Sequence, residues 1–392
     1  MRCTPVVRSL LGAGPRAALQ PLRSVLEVTG PDVKKFLNGQ MCKNVESLGG
    51  GYSGFLNASG RLLHTVFCIP SPTRKNTYLI SHESGPNHPA GLMELLPPFR
   101  LRSKIKMRDV SDEWDVWSAW GSEASPDPTG AWRFGNGGAA ERVWSWEGEI
   151  APLDLAEGEL GCWDLRVGFG PGGMGRQIFV PKGAKPSVLT SHDVASTDEY
   201  NLRRMVLGVP EGSAEIIPGT ALPLESDLDI HGGVDVRKGC YLGQELTVRT
   251  YHTGATRKRI LPVYLYPLAS GPGELATSPL SLESLGSLPL KGPKGGPQKV
   301  DIMYTPPESA ASKKARNAGK LLALSDSAAG VGLGLVRLEW AGRTWDGEGT
   351  LSVELDGEKW GVWIGKGEAY AAALAATPPP RVHDDEEDMA HT

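Results

Sequence analysis

Period-two alternation dominates this chain, interrupted by a few short stretches with helical spacing. Residues 24–29 (SVLEVT) alternate as a strand. Gly30-Pro31-Asp32 then opens a helix whose apolar side recurs at Val33, Phe36 and Leu37, with Gly39 as its stop. GYSGFLNASGRLLHTVFCIP contains two β-rich runs joined at the hairpin turn Asn57-Ala58-Ser59-Gly60, and residues 76–82 (NTYLISH) form another strand. GLMELLPPFRLRSK predicts a helix leading into the strand KIKMRDV. Residues 111–150 hold six tryptophans and are predicted to be strands around a variable loop at 123–138. WDLRVGF, RQIFVPKG and a helix over residues 198–207 make a second mixed unit, and Gly208-Val209-Pro210-Glu211-Gly212 stops that helix. ILPVYLY is a strand, residues 267–317 have the Ser, Gly, Pro and Lys content of a flexible insertion, and strands return at GVGLGLVRLEW, TLSVEL and KWGVWIG.

Strands and helices therefore mix without strict βα alternation, which predicts an α+β fold. Residues 24–110 and 111–260 form two lobes and residues 261–376 a small C-terminal β-domain. Residues 377–392, with five consecutive acids at 384–388, read as a solvated tail. A chain of 392 residues is long enough for two or three such cores. A net charge of −4 argues against non-specific nucleic-acid binding. No apolar run reaches 18 residues, so no membrane span is expected.

Charge is uneven at the start. Arg2, Arg8, Arg16 and Arg23 precede the first acid, Glu27, with hydroxyls and leucines between them, the composition of a mitochondrial transit peptide over residues 1–23. A merely disordered basic start is the duller alternative. Cys3, Cys42, Cys68, Cys162 and Cys240 stand singly, with no CxxC pair and no zinc-type spacing. A disulfide framework is therefore not indicated, which fits a reducing compartment such as the mitochondrial matrix. Nor does the chain alone supply an obvious four-cysteine cluster site.

Chemistry concentrates between residues 237 and 259, RKGCYLGQELTVRTYHTGATRKR, where six lysines and arginines surround one acid, Glu245. Gly239 and Gly243 let the backbone turn and present N–H groups. Arg237 and Lys238 flank Cys240, where cations would stabilise a thiolate. Gln244 and Glu245 can hydrogen-bond a heterocycle edge, while Arg249, Arg257, Lys258 and Arg259 could clamp a carboxylate-rich or phosphorylated molecule. The opposing readings are a buried, inert cysteine and a solvated strand end.

KGCYLGQELTVRTYHTGATRKRI resembles the K-G-C-Y-x-G-Q-E block of the YgfZ/GcvT aminomethyltransferase-like, folate-binding family. GPDVKKFLNGQMCKNV, FLNASGRLLHTVFCI, LRSKIKMRDVS, EYNLRRMVLGVPEGSAEIIPGTALPLESDLD and AGKLLALSDSAAGVGLGLVRLEWA resemble its other blocks, over most of the chain. Together with the basic start, they are most similar to the family's mitochondrial iron–sulfur cluster assembly branch, in a fungal form. The resemblance implies a three-lobed cloverleaf of mixed α/β lobes around a central folate-sized opening, with a small C-terminal β-barrel. It implies an accessory role in [4Fe-4S] maturation with A-type carrier proteins and client enzymes of the aconitase and lipoate- or biotin-synthase kinds. Tetrahydrofolate and a transient iron–sulfur cluster shared with a partner are the implied ligands. The implied site is Cys240, as the redox or cluster-contacting thiol facing the opening, with Lys238, Gly239, Tyr241, Gly243, Gln244, Glu245, Arg249, Arg257 and the hairpin's Asn57. The competing reading is a folate-dependent aminomethyl or one-carbon transferase. Against it, His64 stands where the transferases carry an acid, and a neutral imidazole cannot supply fixed negative charge beside an iminium. Cys42-Lys43-Asn44 also departs from the family pattern and reads as surface drift.

Overall fold

The computed structural model describes residues 14–46, 51–85, 88, 90–122, 129–145, 153–271, 299–310, 314–328 and 330–377. In chain order these give β1 (Arg16–Leu19), β2 (Arg23–Thr29), α1 (Val33–Asn38), β3 (Gly51–Leu56), β4 (Leu62–Pro70), β5 (Thr77–Glu83), α2 (Leu92–Leu95) and β6 (Lys106–Asp109). Next come β7 (Trp114–Trp120), β8 (Thr129–Phe134), β9 (Ala140–Ser145), β10 (Leu160–Trp163), β11 (Arg176–Pro181), β12 (Asp193–Val194), α3 (Thr197–Leu207) and α4 (Gln244–Thr253). The last part holds β13 (Lys258–Pro267), β14 (Val300–Thr305), β15 (Arg316–Leu324), β16 (Val331–Arg337), α5 (Leu338–Trp345), β17 (Thr350–Leu355), β18 (Glu358–Ile364) and α6 (Glu368–Ala376).

The strands assemble into three bodies and a hairpin. The first sheet runs β3-β4-β5-β2-β6, the second β10-β11-β7-β1-β12, and β13-β16-β15-β14-β17-β18 close into a barrel; among the described residues β8 and β9 pair only with each other. Alternation explains the barrel. Leu261, Val263 and Leu265 of β13 belong to the core they share with Ile302, Leu321, Val336, Leu351 and Val362. Tyr264 and Tyr266 point the other way, against Leu202 and Val206 of α3. Closure leaves the barrel no free strand edge.

Several expectations change. The N-terminal boundary at residue 24 is too late: β1 lies inside the second sheet, antiparallel to β7 and parallel to β12. Arg16 pairs with Glu199, and Arg23 donates to Glu211 at 3.0 Å. Two of the four arginines credited to a leader thus serve the fold, and only residues 1–13 of that segment lie outside the described residues. The lobes are accordingly not consecutive stretches of chain. The helix predicted across residues 91–104 shrinks to α2 plus a 3-10 turn at Pro97–Phe99, because two prolines remove backbone donors. β8 occupies part of the predicted 123–138 loop, and β14 falls within the predicted insertion as a stave between β15 and β17. Residues 272–298 of that insertion, and the acidic run, lie outside the described residues.

A buried polar network ties the first two lobes together. Arg166, fully buried, donates from Nε and Nη2 to Asp164 at 2.9 and 2.6 Å and from Nη1 to Glu211 at 2.7 Å. The guanidinium also lies over the Tyr52 and Phe67 rings of the first sheet, 5.1 and 5.0 Å from their centroids.

Candidate functional site

From Gly208, which ends α3 in the left-handed region, the chain runs without regular structure to α4, and residues 238–243 press onto the first lobe. The Lys238 ammonium enters a cage of main-chain carbonyls where α1 ends, donating to Asn38 at 2.8 Å, Met41 at 2.7 Å and Lys43 at 3.2 Å. The same ammonium lies 4.9 Å from the centroid of the buried Tyr241 ring. Burial draws the lysine down to about 8. Leu242 N–H donates to Gly39 O at 3.0 Å, and Gln244 Oε1 accepts from Tyr241 N–H at 3.2 Å. Gly243 adopts φ +75° against the hairpin turn, where a Cβ would stand 2.2 Å from Asn57 O. Asn57 closes that turn itself: its Oδ1 accepts from Ser59 N–H at 3.0 Å, Ser59 Oγ at 2.8 Å and Arg61 N–H at 3.0 Å.

The expected binding set therefore divides in two. Lys238, Tyr241, Gly243, Gln244 and Asn57 are occupied in building the loop, and the Lys238 ammonium is spent on the carbonyls of Asn38, Met41 and Lys43. Gly239, Cys240, Glu245, Arg249 and Arg257 are exposed. Of the four described cysteines, Cys240 is exposed and Cys42, Cys68 and Cys162 are buried. Burial pushes the Cys42 thiol up to about 12 and raises the other two further. Arg259 departs furthest from expectation. Fully buried, it donates to Asp227 Oδ1 at 2.8 Å and to Asp229 at 3.0 and 2.9 Å, locking the start of β13 to the segment before the loop.

A cleft of about 220 Å³ opens elsewhere, between β3, the β8–β9 hairpin, the end of β10 and residues 231–235. Cys240 is not among the residues that line it. Its walls include Lys43, Tyr52, Glu141, Arg142, Trp144 and Asp235. Lys43 Nζ donates to Gly232 O at 2.6 Å, and burial lowers it to about 8. Cys42-Lys43 is thus core and cleft wall, and the reading of it as surface drift is corrected. Arg142 lies over Trp132 and Trp144, 4.9 and 4.3 Å from their centroids. Burial raises Glu141, whose Oε2 makes no hydrogen bond and lies 3.9 Å from Arg133; Trp144 Nε1 is likewise buried without an acceptor. Sequence reading passed over this cleft, although its signal was present in tryptophans beside arginines in residues 129–145. His64 stays away from it. β4 puts His64 on the face of Val66 and Cys68, under α1 and α2, while Phe67 shares the core of Tyr52.

No protein-family model matches the chain. A curated relative in Cryptococcus neoformans var. neoformans serotype D (strain JEC21), the "Iron-sulfur cluster assembly factor IBA57 homolog, mitochondrial", is 55% identical over 379 residues, 92% of this chain and 98% of the relative. The chain belongs to the IBA57 family of mitochondrial iron–sulfur cluster assembly factors. A family member of the same description from Neurospora crassa is 36% identical over 335 residues, 83% of this chain and 70% of that one. The fungal members bear out the resemblance seen in the glycine-rich block. In fold, the chain is similar to the crystal structure of glycine cleavage system aminomethyltransferase T from Bartonella henselae, with TM-score 0.56 and 12% identity over 91% of this chain and 86% of that one. This likeness shows the α+β fold with its barrel and nothing of activity. Among the described residues no helix is long and apolar enough to cross a membrane.

Proposed function

We propose that this IBA57-family protein acts in the mitochondrial matrix as an accessory factor of [4Fe-4S] assembly, with the Cys240 thiolate supplying one ligand to a cluster shared with a partner. The exposure of Cys240 on a clamped loop carries this reading. A lone thiolate cannot hold a four-iron cluster. Among the described residues no group of three or more His, Cys, Asp or Glu is placed to hold a metal. The remaining ligands then come from the partner, for which an A-type carrier is the fitting class, and the product passes to client [4Fe-4S] enzymes. Gly239 supports the reading: a Cβ there would meet nothing within 4 Å, so the backbone beside the thiol is open to close approach.

The test is anaerobic mixing with a [2Fe-2S]-loaded A-type carrier. Joining two [2Fe-2S]²⁺ units into one [4Fe-4S]²⁺ consumes two electrons, here from dithionite. Wild-type chain is expected to give four-iron absorbance, and Cys240→Ala to reduce it to the level of carrier alone while melting at the same temperature. Equal yield from the variant would remove Cys240 from the mechanism.

The cleft favours a second ligand. Glu141 Oε2 and Trp144 Nε1 offer an unused acceptor and donor beside a cation and aromatic faces, which suits the edge of a pterin. Its volume lies below the roughly 300–1,000 Å³ of complete ligand sites, so the ring of tetrahydrofolate would sit inside and its glutamate tail outside. Tetrahydrofolate is expected to quench tryptophan emission in wild-type chain and not in Glu141→Ala. Methylene-tetrahydrofolate formed from an aminomethyl donor would instead make the chain a folate-dependent transferase.

A further inference from the structure

The segment from Leu96 to Arg108, LPPFRLRSKIKMR, carries five cations and no acid, in a chain whose net charge is −4. Only Arg108 is spoken for, by Glu27 and Glu113. Arg100, Arg102, Lys104 and Lys106 are exposed and join no ion pair among the described residues. Between them stand large apolar side chains that the fold leaves in water: Leu101 is 86% exposed and Phe99 41%, with Met93 of the adjoining α2 at 40%. No other large apolar side chain is as exposed as Leu101 among the described residues.

This tip is held, not frayed. Ser103 N–H donates to Arg100 O at 2.8 Å, closing a turn with Leu101 and Arg102 at its corners. Lys104 N–H donates to Asp32 Oδ2 at 2.7 Å, and Ile105 is buried as the root. Leu101 has φ +45°, a left-handed conformation that glycine or asparagine would adopt with less strain. A leucine that is strained and solvated at once does nothing for the folded chain. Such an outlier is informative when something outside the chain uses the side chain.

We propose that this turn is a peripheral membrane-docking surface for bilayers carrying anionic phospholipid. Leu101 and Phe99 would enter the boundary between headgroups and acyl chains, while Arg100, Arg102, Lys104 and Lys106 stay at the depth of the phosphates. Charge complementarity selects the lipid, and the convex shape selects a bilayer over a protein. Two apolar side chains on a narrow turn need no shaped pocket in lipid, whereas a protein partner would have to supply one. The inference stands apart from the roles proposed for Cys240 and the cleft.

The test is sedimentation of the full chain with vesicles of phosphatidylcholine containing about a third phosphatidylglycerol, against vesicles of phosphatidylcholine alone. Wild-type chain is expected to pellet with the anionic vesicles only, and less as salt rises. Arg100→Ala/Arg102→Ala should lower partitioning about 25-fold, at about fivefold for each cation removed. Leu101→Gly is the sharper variant. It relieves the left-handed strain, so the chain should melt no lower than wild type, yet vesicle binding should fall about tenfold. Three results would overturn the proposal: no binding to anionic vesicles, equal binding to neutral ones, or full binding by Leu101→Gly alongside loss in the double arginine variant. The last would mark a charge-only surface suited to an acidic protein.

Discussion

His64 and His82, packed edge to face at 5.2 Å on the first sheet, are kept neutral by burial. Desolvation lowers His64 to about 3, helped by the neighbouring imidazoles of His88 and His82, and lowers His82 to about 4. An unfolded chain would protonate both near the ordinary histidine value of about 6.5, while the folded chain would not. Between that value and about 4 the unfolded state binds more protons, so the stability contributed by these two groups is present above about pH 6.5 and lost as pH falls. These two groups should together contribute about 2–4 kcal/mol to the stability difference between pH 7 and pH 5, and His64→Gln, compared with wild type by urea titration at both values, should remove about half of that contribution. An unchanged pH dependence in the variant would mean that His64 titrates normally in the folded state. Lys238 teaches a related lesson. Its charge was legible beside Cys240, but its direction was not, because three carbonyls at the end of α1, two hundred residues earlier in sequence, capture it.

At the scale of elements, the junction between α4 and the β3–β4 hairpin sets where Cys240 stands. Gly243 enters α4 at φ +75°, with its Cα side against Asn57 O and Gly60. Gly243→Ala would combine a disfavoured backbone conformation with a 2.2 Å approach to main chain that cannot step aside. The expected loss is about 3 kcal/mol of unfolding free energy by urea titration. Gly239→Ala, four residues earlier, meets open space and should change stability by no more than about 0.5 kcal/mol. Similar costs for the two would show that the glycines act through the unfolded chain and not through this contact. Sequence reading found both glycines, yet it did not find α4 itself, whose buried residues are only Thr247 and Tyr251 and which therefore lacks an apolar stripe.

At the scale of the molecule, residues 16–19 are a working part of the second sheet. A chain beginning at residue 24 would lose β1, with Ala17 and Ala18 fully buried between β7 and β12, and the Arg23 contact to Glu211. It should show no cooperative thermal transition by circular dichroism, while a chain beginning at residue 14 should melt as the full chain does. Local order is what the chain's own pattern carried. Alternation and turn chemistry determined β2 to β5, α1, α3 and most barrel staves, since these depend on neighbours a few residues away, and the glycine-rich block around Cys240 declared the family. Long-range packing decided the rest. Which cations face solvent and which are spent inside, that β1 joins a sheet built a hundred residues later, and that the cleft is walled by Lys43, Glu141 and Trp144 all follow from burial and hydrogen-bond satisfaction between distant segments, and no local periodicity encodes those.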